Sequence, residues 1–195
     1  MRNRYDPTPI WALIFINTVI FILTSARPDI GNTLAMTKPI TDSNYWTILT
    51  AIFVHANITH ILFNMITLYF FGTFFLQLVN LKWFLVIYFV GGILGNLVFL
   101  LIGPNYSSVV GASGAIFAIG GALAIMRPNQ RVYAYFLIPM PLWVAIFGSF
   151  VILVFIPGVA WQAHLGGLIV GLIAGWFLRQ KERQRLKPGQ YRIRY

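Results

Sequence analysis

Long apolar runs separated by short polar stretches form the main pattern along this chain. Six runs are long enough, or nearly so, to cross a lipid bilayer as helices: Ile10–Ala26, His60–Val79, Leu81–Ile102, Ala112–Met126, Tyr133–Ile156 and Ala160–Leu178. A spanning helix needs about 20 residues, so the fourth run is short unless its polar beginning is included. The apolar–polar alternation of a membrane barrel strand is missing from these runs. The pattern therefore predicts an all-α membrane protein, a bundle of six transmembrane helices.

The composition argues against a soluble domain. Of the 195 residues, 58% are hydrophobic and 9% are charged, and the mean hydropathy is +0.77. A soluble domain of this size would need many more charged side chains to cover its surface. Cysteine does not occur, which removes disulfides and thiol catalysis from the candidate chemistry. We expect a multi-pass integral protein of the cell membrane, surrounded by the lipid bilayer.

The basic residues collect on one side of the predicted bundle. The formal net charge is +10, and with an internal N-terminus all but two of the 14 Lys and Arg residues, Arg27 and Lys38, lie on the inner side. This positive-inside bias predicts that both termini are cytoplasmic. The net charge could also suggest nucleic-acid binding, but no base-reading or stacking motif accompanies it. We therefore expect no nucleic-acid partner.

One membrane domain accounts for most of the chain. We assign residues 1–178 to the six-helix domain and residues 179–195 to a basic cytoplasmic tail that touches anionic lipid headgroups. The first apolar run, with basic residues before it, also has features of a signal peptide. We interpret it as a retained helix, because its removal would leave an odd number of spans. The longest connection, from Arg27 to Asn57, carries Trp46 and is expected to lie partly in the membrane interface.

Small residues recur at helical spacing in the fourth and sixth runs. They are Gly114, Ala118 and Gly121 in the fourth run and Gly167, Gly171 and Gly175 in the sixth. In lipid, stripes of small residues let two helix backbones approach closely. Packing of one stripe on the other would bring together the outer ends of both helices, where Ser113 and His164 stand.

Ser113 and His164 are polar residues at the beginnings of these two apolar runs. They stand in the motifs Gly111-Ala112-Ser113-Gly114 and Ala163-His164-Leu165-Gly166-Gly167. An ionisable residue inside a membrane helix is costly and is by default a candidate functional site. A serine hydroxyl becomes a nucleophile when a base removes its proton, and histidine suits that role near neutral pH. The alternative is structural: Ser113 would be a small packing residue and His164 would bond to a backbone carbonyl.

Carboxylates are too scarce to complete a buried catalytic triad. The four acidic residues of the chain are Asp6, Asp29, Asp42 and Glu182. Two of them fall on the predicted inner side and two in the long outer loop, so none lies on a span near Ser113. The pattern therefore predicts a serine–histidine dyad whose imidazole is oriented by packing. Phe117, one turn after Ser113, is placed to support that ring.

A third polar cluster begins the second apolar run. His60 and Asn64 are spaced i, i+4 and so share one helix face. Their side-chain N–H groups, with the backbone N–H of Ser113, could stabilise the oxyanion of an acyl-transfer reaction. The three histidines, with His55 and His164, could instead suggest a metal site, but a His-Glu-x-x-His pattern and acidic ligands are missing. We expect neither a metal nor a cofactor.

In these residues the chain resembles the rhomboid intramembrane serine proteases. The resemblance rests on three motifs in the family's order: His55 with His60-Ile61-Leu62-Phe63-Asn64, then Gly111-Ala112-Ser113-Gly114, then Ala163-His164-Leu165-Gly166-Gly167 followed by Gly171. It implies a six-helix core whose short fourth helix carries the nucleophile, Ser113, at the floor of a water-filled cavity. It also implies His164 as the general base, and His60 with Asn64 as oxyanion donors.

We assign supporting roles around the dyad to seven further residues. They are Trp46, His55, Gly111, Gly114, Phe117, Gly167 and Gly171. By the resemblance, His55 is a scaffold residue of the first outer loop. The family often has a Trp-Arg pair in that loop and a tyrosine below the serine, where this chain has Trp46-Thr47 and Phe117. The arginine's contacts must therefore be replaced or lost, and Phe117 has no hydroxyl to offer the base.

The resemblance implies a hydrolase that acts on membrane proteins. The family cleaves its substrates within or just outside a transmembrane helix, and its fifth helix, here with Pro139 and Pro141, acts as a lateral gate. We therefore expect transmembrane protein substrates, while no particular oligomeric state is predicted. The main alternative is a non-catalytic rhomboid-like module that binds client membrane proteins. A small transporter is disfavoured, because the polar groups cluster near one face instead of lining a path across the membrane.

Overall fold

The structure, a computed structural model, describes residues 6–38, 44–134 and 138–185, which are mainly helical. Its helices are α1 (Thr8–Ala26), α2 (Pro28–Leu34), α3 (Thr47–Thr50), α4 (Ile58–Thr67), α5 (Thr73–Leu78), α6 (Leu81–Ile102), α7 (Ser113–Met126), α8 (Leu142–Val154) and α9 (Trp161–Arg185). A 3₁₀ turn, Ala51–Phe53, follows α3, and a π-helical segment, Leu68–Gly72, joins α4 to α5. The strands are β1 (Met36–Thr37), β2 (Ser108–Val109), β3 (Arg131–Ala134) and β4 (Ile138–Pro141).

Four helical stretches are long and apolar enough to cross a membrane. They are Thr8–Ala26, Ile58–Leu78, Leu81–Ile102 and Trp161–Gln184. They coincide with the first, second, third and sixth apolar runs of the sequence. Their ends lie within two residues of the predicted ones, except that the last stretch continues beyond Leu178. Helices α7 and α8 are apolar too, but they have 14 and 13 residues. At 1.5 Å per residue each is about 20 Å long, which is less than the roughly 30 Å of a bilayer core.

The predicted fifth run, Tyr133–Ile156, is wrong in its first part. Residues 131–141 contribute the antiparallel pair β3–β4, in which Val132 pairs with Met140. Pro139 and Pro141 therefore lie in β4 and not in the fifth helix. Proline lacks a backbone N–H and clashes with the preceding turn of a helix, so α8 begins only at Leu142.

The long connection between α1 and α4 folds against the bundle. It contains α2, α3 and the 3₁₀ turn, and β1 pairs antiparallel with β2, so that Met36 lies opposite Val109. The amide of Asn96, a buried polar residue on α6, donates to the carbonyl of Ile48 at 2.9 Å. The connection therefore has fixed structure over residues 27–38 and 44–57, and residues 39–43 lie outside the described part of the chain.

Helix α7 is the centre of the bundle, and nearly all of its residues are buried. The contact between α7 and α9 is the most extensive of any two elements, and the contact between α6 and α9 is the next. A methyl group at Gly167 would collide with the carbonyl of Gly114, and one at Gly171 with the carbonyl of Ala118. The predicted packing of the two small-residue stripes is thereby confirmed. Because no side chain separates the backbones, the first turns of α7 and α9 are held side by side.

At the opposite end of the bundle, α9 continues beyond the predicted end at Leu178. It runs as an unbroken helix to Arg185, so the predicted boundary between residues 178 and 179 falls inside this helix. Glu182 forms a two-pronged ion pair with Arg127, which follows α7 directly; one of its two contacts, from Nη1 to Oε2, is 2.8 Å. The pair ties the ends of α7 and α9 together, and residues 186–195 lie outside the described part.

Candidate active site

Ser113 and His164 meet at the beginnings of α7 and α9. The Oγ atom of Ser113 lies 2.7 Å from Nε2 of His164, a hydrogen-bond distance. The imidazole is buried, with 6% of its surface exposed. The contact follows from the helix packing, because two glycines lie backbone against backbone: Gly114, next to Ser113 in the chain, and Gly167, three residues after His164. A nucleophile and a base within hydrogen-bond reach are the minimum arrangement for covalent catalysis.

The second ring nitrogen of His164 has no polar partner in the described part of the chain. Its Nδ1 atom is buried and makes no hydrogen bond there. The ring is instead covered by Phe117, one turn along α7, whose centroid lies 4.8 Å away at an interplanar angle of 29°. The structure thus places Phe117 where the sequence predicted it. Among the described residues, the imidazole of His164 is therefore in contact with an aromatic ring and not with a carboxylate.

Gly111 brings His60 close to the serine. Its φ angle is +116°, in the region that favours glycine. A methyl group there would lie 2.7 Å from Nε2 of His60 and 3.7 Å from Oγ of Ser113. The backbone N–H of Gly111 donates to the carbonyl of Ala51 at 2.9 Å, which fixes the segment before α7. One small space beside Gly111 is therefore bordered by both the imidazole of His60 and the hydroxyl of Ser113.

The first turns of α4 hold His60 and Asn64. The helix is capped by Asn57, whose side-chain oxygen accepts from the backbone N–H of His60 at 2.8 Å. Asn64 is buried, and its amide nitrogen donates to the carbonyl of His60 at 2.8 Å. Sequence spacing predicted the shared face but not this bond. This hydrogen bond uses one of the two N–H groups of the Asn64 amide, so the other can still donate to a further acceptor.

His55 lies beside the site and not in it. Its ring contacts that of His60 edge to face, with centroids 5.1 Å apart, and its Nδ1 lies 3.3 Å from the carbonyl oxygen of Phe53. Burial lowers the pKa of His55 to about 4, with a smaller effect of His60. A histidine with this pKa is neutral near pH 7, which suits the scaffold role that the sequence suggested.

Local hydrogen bonds hold the loop around Trp46 and Thr47. The hydroxyl of Thr47 is buried and donates to the carbonyl of Asn44 at 2.6 Å. The indole N–H of Trp46 donates to the carbonyl of Thr33 at 3.1 Å. Trp46 thus supports the loop and not the dyad itself.

Three residues that pack on the site or hold the connection beside it were missed by sequence reasoning. They are Gly95, Asn96 and Phe150. A methyl group at Gly95 would lie 2.6 Å from the carbonyl oxygen of Ala163; its spacing of four from Gly91 in α6 was an available signal. Asn96 was a visible polar residue in an apolar run. Phe150, which contacts Phe117 edge to face, had no signal, since aromatic residues are frequent throughout the chain.

In residues 6–38, 44–134 and 138–185, no group of three or more His, Asp or Glu side chains is placed to hold a metal ion. The arrangement offers a hydroxyl, an imidazole that can accept its proton and a second imidazole close by. A hydroxyl with an imidazole beside it is the kind of arrangement that serves acyl transfer.

Comparison with known proteins agrees with the motifs. Residues 42–181 match the family model described as the Rhomboid domain. The chain is 27% identical to Rhomboid protein 1, mitochondrial, of Saccharomyces cerevisiae over 90% of its length. It is 31% identical to RHOMBOID-like protein 12, mitochondrial, of Arabidopsis thaliana over 99% of its length. It is 29% identical to Rhomboid protease GluP of Bacillus subtilis over 86% of its length.

These three relatives are longer than the matched region. The chain spans 56% of the yeast protein, 62% of the Arabidopsis protein and 34% of the Bacillus protein. The relatives come from mitochondria as well as from a bacterium, according to their names.

Proposed function

Because the chain belongs to the rhomboid family, we propose that it is an intramembrane serine endopeptidase that cleaves transmembrane segments of membrane proteins. The observation that carries this proposal is the 2.7 Å contact between Ser113 Oγ and His164 Nε2. The chain is a multi-pass membrane protein, with four helical stretches able to span. For Ser113 to attack a peptide bond of a substrate helix, that helix must unwind beside α7 so that its backbone carbonyl is exposed.

His164 is proposed to act first as base and then as acid. Its Nε2 accepts the proton of the Ser113 hydroxyl as Oγ attacks the carbonyl carbon of the scissile bond. The resulting imidazolium returns the proton to the leaving amine, which gives an acyl-enzyme on Ser113. Water, activated by the same imidazole, then attacks the ester and restores the hydroxyl.

The oxyanion of the tetrahedral intermediate needs donors that are in place beforehand. We assign this role to the imidazole of His60, the remaining amide N–H of Asn64 and the backbone N–H of Ser113. The support for His60 is its position beside Gly111, next to the Ser113 hydroxyl. Backbone N–H groups in the first turn of a helix have no partner within that helix, so the N–H of Ser113 is free to donate.

We further propose that all six apolar helices span the membrane, with both termini cytoplasmic and the dyad near the outer face. Ser113, His164 and His60 all begin their helices, at the same end of the bundle. The Arg127–Glu182 ion pair lies at the other end, the side on which basic residues predominate. By this proposal residues 1–178 form the protease domain in the cell membrane, and residues 179–195 form a basic cytoplasmic tail.

Substitution of Ser113 and His164 tests the proposed activity. Purified Ser113→Ala and His164→Ala proteins in liposomes should cleave a model transmembrane substrate at the background rate. A fluorophosphonate probe should label the wild-type serine and neither variant. Ser113→Ala removes a single atom and should unfold in detergent close to the wild type. The His164→Ala protein should keep a cooperative unfolding transition, although it loses a buried ring.

Two outcomes would count against the proposal. Undiminished cleavage by the Ser113→Ala protein would exclude a serine mechanism at this site. Binding of the model substrate by wild-type protein, with neither probe labelling nor cleavage, would favour the non-catalytic module instead.

A further inference from the structure

The imidazole of His164 is oriented by ring contacts in the described part of the chain. One nitrogen faces the Ser113 hydroxyl, and the other is buried without a hydrogen-bond partner. In a catalytic triad a carboxylate fixes the tautomer and the direction of the ring. Here the face of the imidazole lies against Phe117. The angle at which Nε2 meets Oγ therefore depends on where the Phe117 ring is held.

The Phe117 ring contacts the ring of a residue on another helix. Its ring meets that of Phe150 at an interplanar angle of 82°, with centroids 6.1 Å apart. Edge-to-face contacts within this range are favourable because the positive ring edge meets the negative ring face. Phe150 belongs to α8, whereas Ser113 and Phe117 belong to α7. The three rings in contact, those of His164, Phe117 and Phe150, therefore come from three different helices.

Phe150 belongs to the face of α8 that packs on α7. Ile146 and Leu142, one and two turns earlier on the same face, are buried. Ile146 fills the space beside Gly120, where a methyl group would lie 2.6 Å from its Cδ1 atom. Phe150 is the residue of this face that lies towards the dyad end of α7. The position of α8 against α7 therefore sets the position of the Phe150 ring.

We propose that Phe150 is a positioning residue for His164, acting through Phe117. This inference rests on the proposed function, since it concerns the base of that reaction. The Phe150 ring keeps Phe117 against the imidazole, and the imidazole in line with the Ser113 hydroxyl. When α8 moves away from α7, the support is withdrawn and proton transfer slows. The geometry of the dyad is thereby coupled to the placement of α8.

The test compares two identical substitutions on one helix. Phe150→Leu removes the ring next to Phe117, while Phe147→Leu removes a ring three residues earlier that is 36% exposed. We expect Phe150→Leu to lower kcat about tenfold with little change in KM, since a misplacement of 1 Å can cost about 10²-fold. Fluorophosphonate labelling of Ser113 should slow by a similar factor. Phe147→Leu should leave both rates near those of the wild type.

A double-mutant cycle separates positioning from general packing. If Phe150 acts through Phe117, then Phe150→Leu should have little further effect on kcat in a Phe117→Leu background. Phe150→Tyr, which keeps the ring edge, should restore most of the rate. Should Phe150→Leu unfold the protein, Phe150→Met, which is similar in volume and has no ring, takes its place in the cycle.

The outcomes distinguish this inference from the proposed function. If Ser113→Ala abolishes cleavage but Phe150→Leu matches Phe147→Leu, the positioning role is excluded and the protease function stands. Additive effects of Phe150→Leu and Phe117→Leu would equally exclude action through Phe117. If Ser113→Ala cleaves normally, the function itself fails, whatever the Phe150 variants do.

Discussion

At Gly111 the backbone conformation and the space beside it both disfavour a side chain. The φ angle of +116° is strained for alanine, and a methyl group would press on the imidazole of His60. We expect Gly111→Ala to lower the free energy of unfolding by about 1 kcal/mol and cleavage by about tenfold or more, because His60 must move. Unfolding in detergent and initial rates in liposomes measure the two effects.

Gly158 provides the matched control for this substitution. It also has a positive φ, +79°, but a methyl group there would meet no atom within 4 Å. Gly158→Ala should therefore show a similar loss of stability without the loss of cleavage. Equal rates in the two variants would mean that the space beside Gly111 is not needed by the reaction.

Single polar residues were the part of the site that the sequence revealed most clearly. Ser113, His164 and His60 stand out because polar groups are rare in apolar runs, and rarity is visible without coordinates. The hydrogen bond that the Asn64 side chain donates to His60 and the contact of the Phe150 ring with Phe117 could not be found in this way. Both depend on side-chain rotamers and on the distance between helices, which the sequence does not specify residue by residue.

Among the helices, the contact between α7 and α9 is made by backbones that nearly touch. A methyl group at Gly167 would collide with the carbonyl of Gly114. Backbone cannot yield as a flexible side chain does, so Gly167→Ala must push the two helices apart. We expect a loss of about 2–3 kcal/mol in unfolding free energy and of most cleavage, because Ser113 and His164 stand on the separated helices.

If close backbone packing explains the loss at Gly167, then alanine at Gly148 in α8 should stabilise the protein instead. No atom lies within 4 Å of a methyl group placed there. Since alanine favours helix over glycine, Gly148→Ala should raise the unfolding free energy by about 0.5–1 kcal/mol. The two variants are compared by thermal or denaturant unfolding in the same detergent. A stabilised Gly167→Ala protein would contradict the close packing of α7 on α9.

The helices were predicted well where hydropathy and length agree, and poorly where they do not. The third run, Leu81–Ile102, matches α6 at both ends. The fifth run failed because the residues that it shares with β3 and β4 are largely apolar, such as Ala134 and Ile138, and hydropathy cannot distinguish them from helix. Pro139 and Pro141 were the available signal, since prolines this far inside a helix would break it.

Across the described part of the molecule, the candidate dyad lies at one end of the bundle and an ion pair of the predicted basic side lies at the other. The Ser113–His164 contact lies at the beginning of α7, and the Arg127–Glu182 ion pair lies just beyond its end. The sequence predicted this separation from the positions of basic residues alone, because the bias acts on whole loops. The ion pair itself was not predicted. It requires α9 to continue past Leu178, where apolar residues no longer mark the helix.

The proposed orientation can be tested at the two ends of α7. The chain has no cysteine, so a single engineered cysteine is its only thiol. Asn105 and Asn129 are exposed residues in the loops before and after α7, which makes Asn105→Cys and Asn129→Cys a matched pair. With the dyad near the outer face, a membrane-impermeant maleimide should label Asn105→Cys in intact cells.

The same reagent should label Asn129→Cys only after the cells are lysed, and retained cleavage by both variants shows that they are folded. The expected asymmetry follows from the positive-inside bias, which places Arg127 and Arg131, the basic neighbours of Asn129, on the cytoplasmic side. Labelling in the opposite order would put Ser113 near the inner face, with its water and substrates supplied from the cytoplasm. Labelling of both cysteines in intact cells would mean that α7, at 14 residues, does not separate the two compartments.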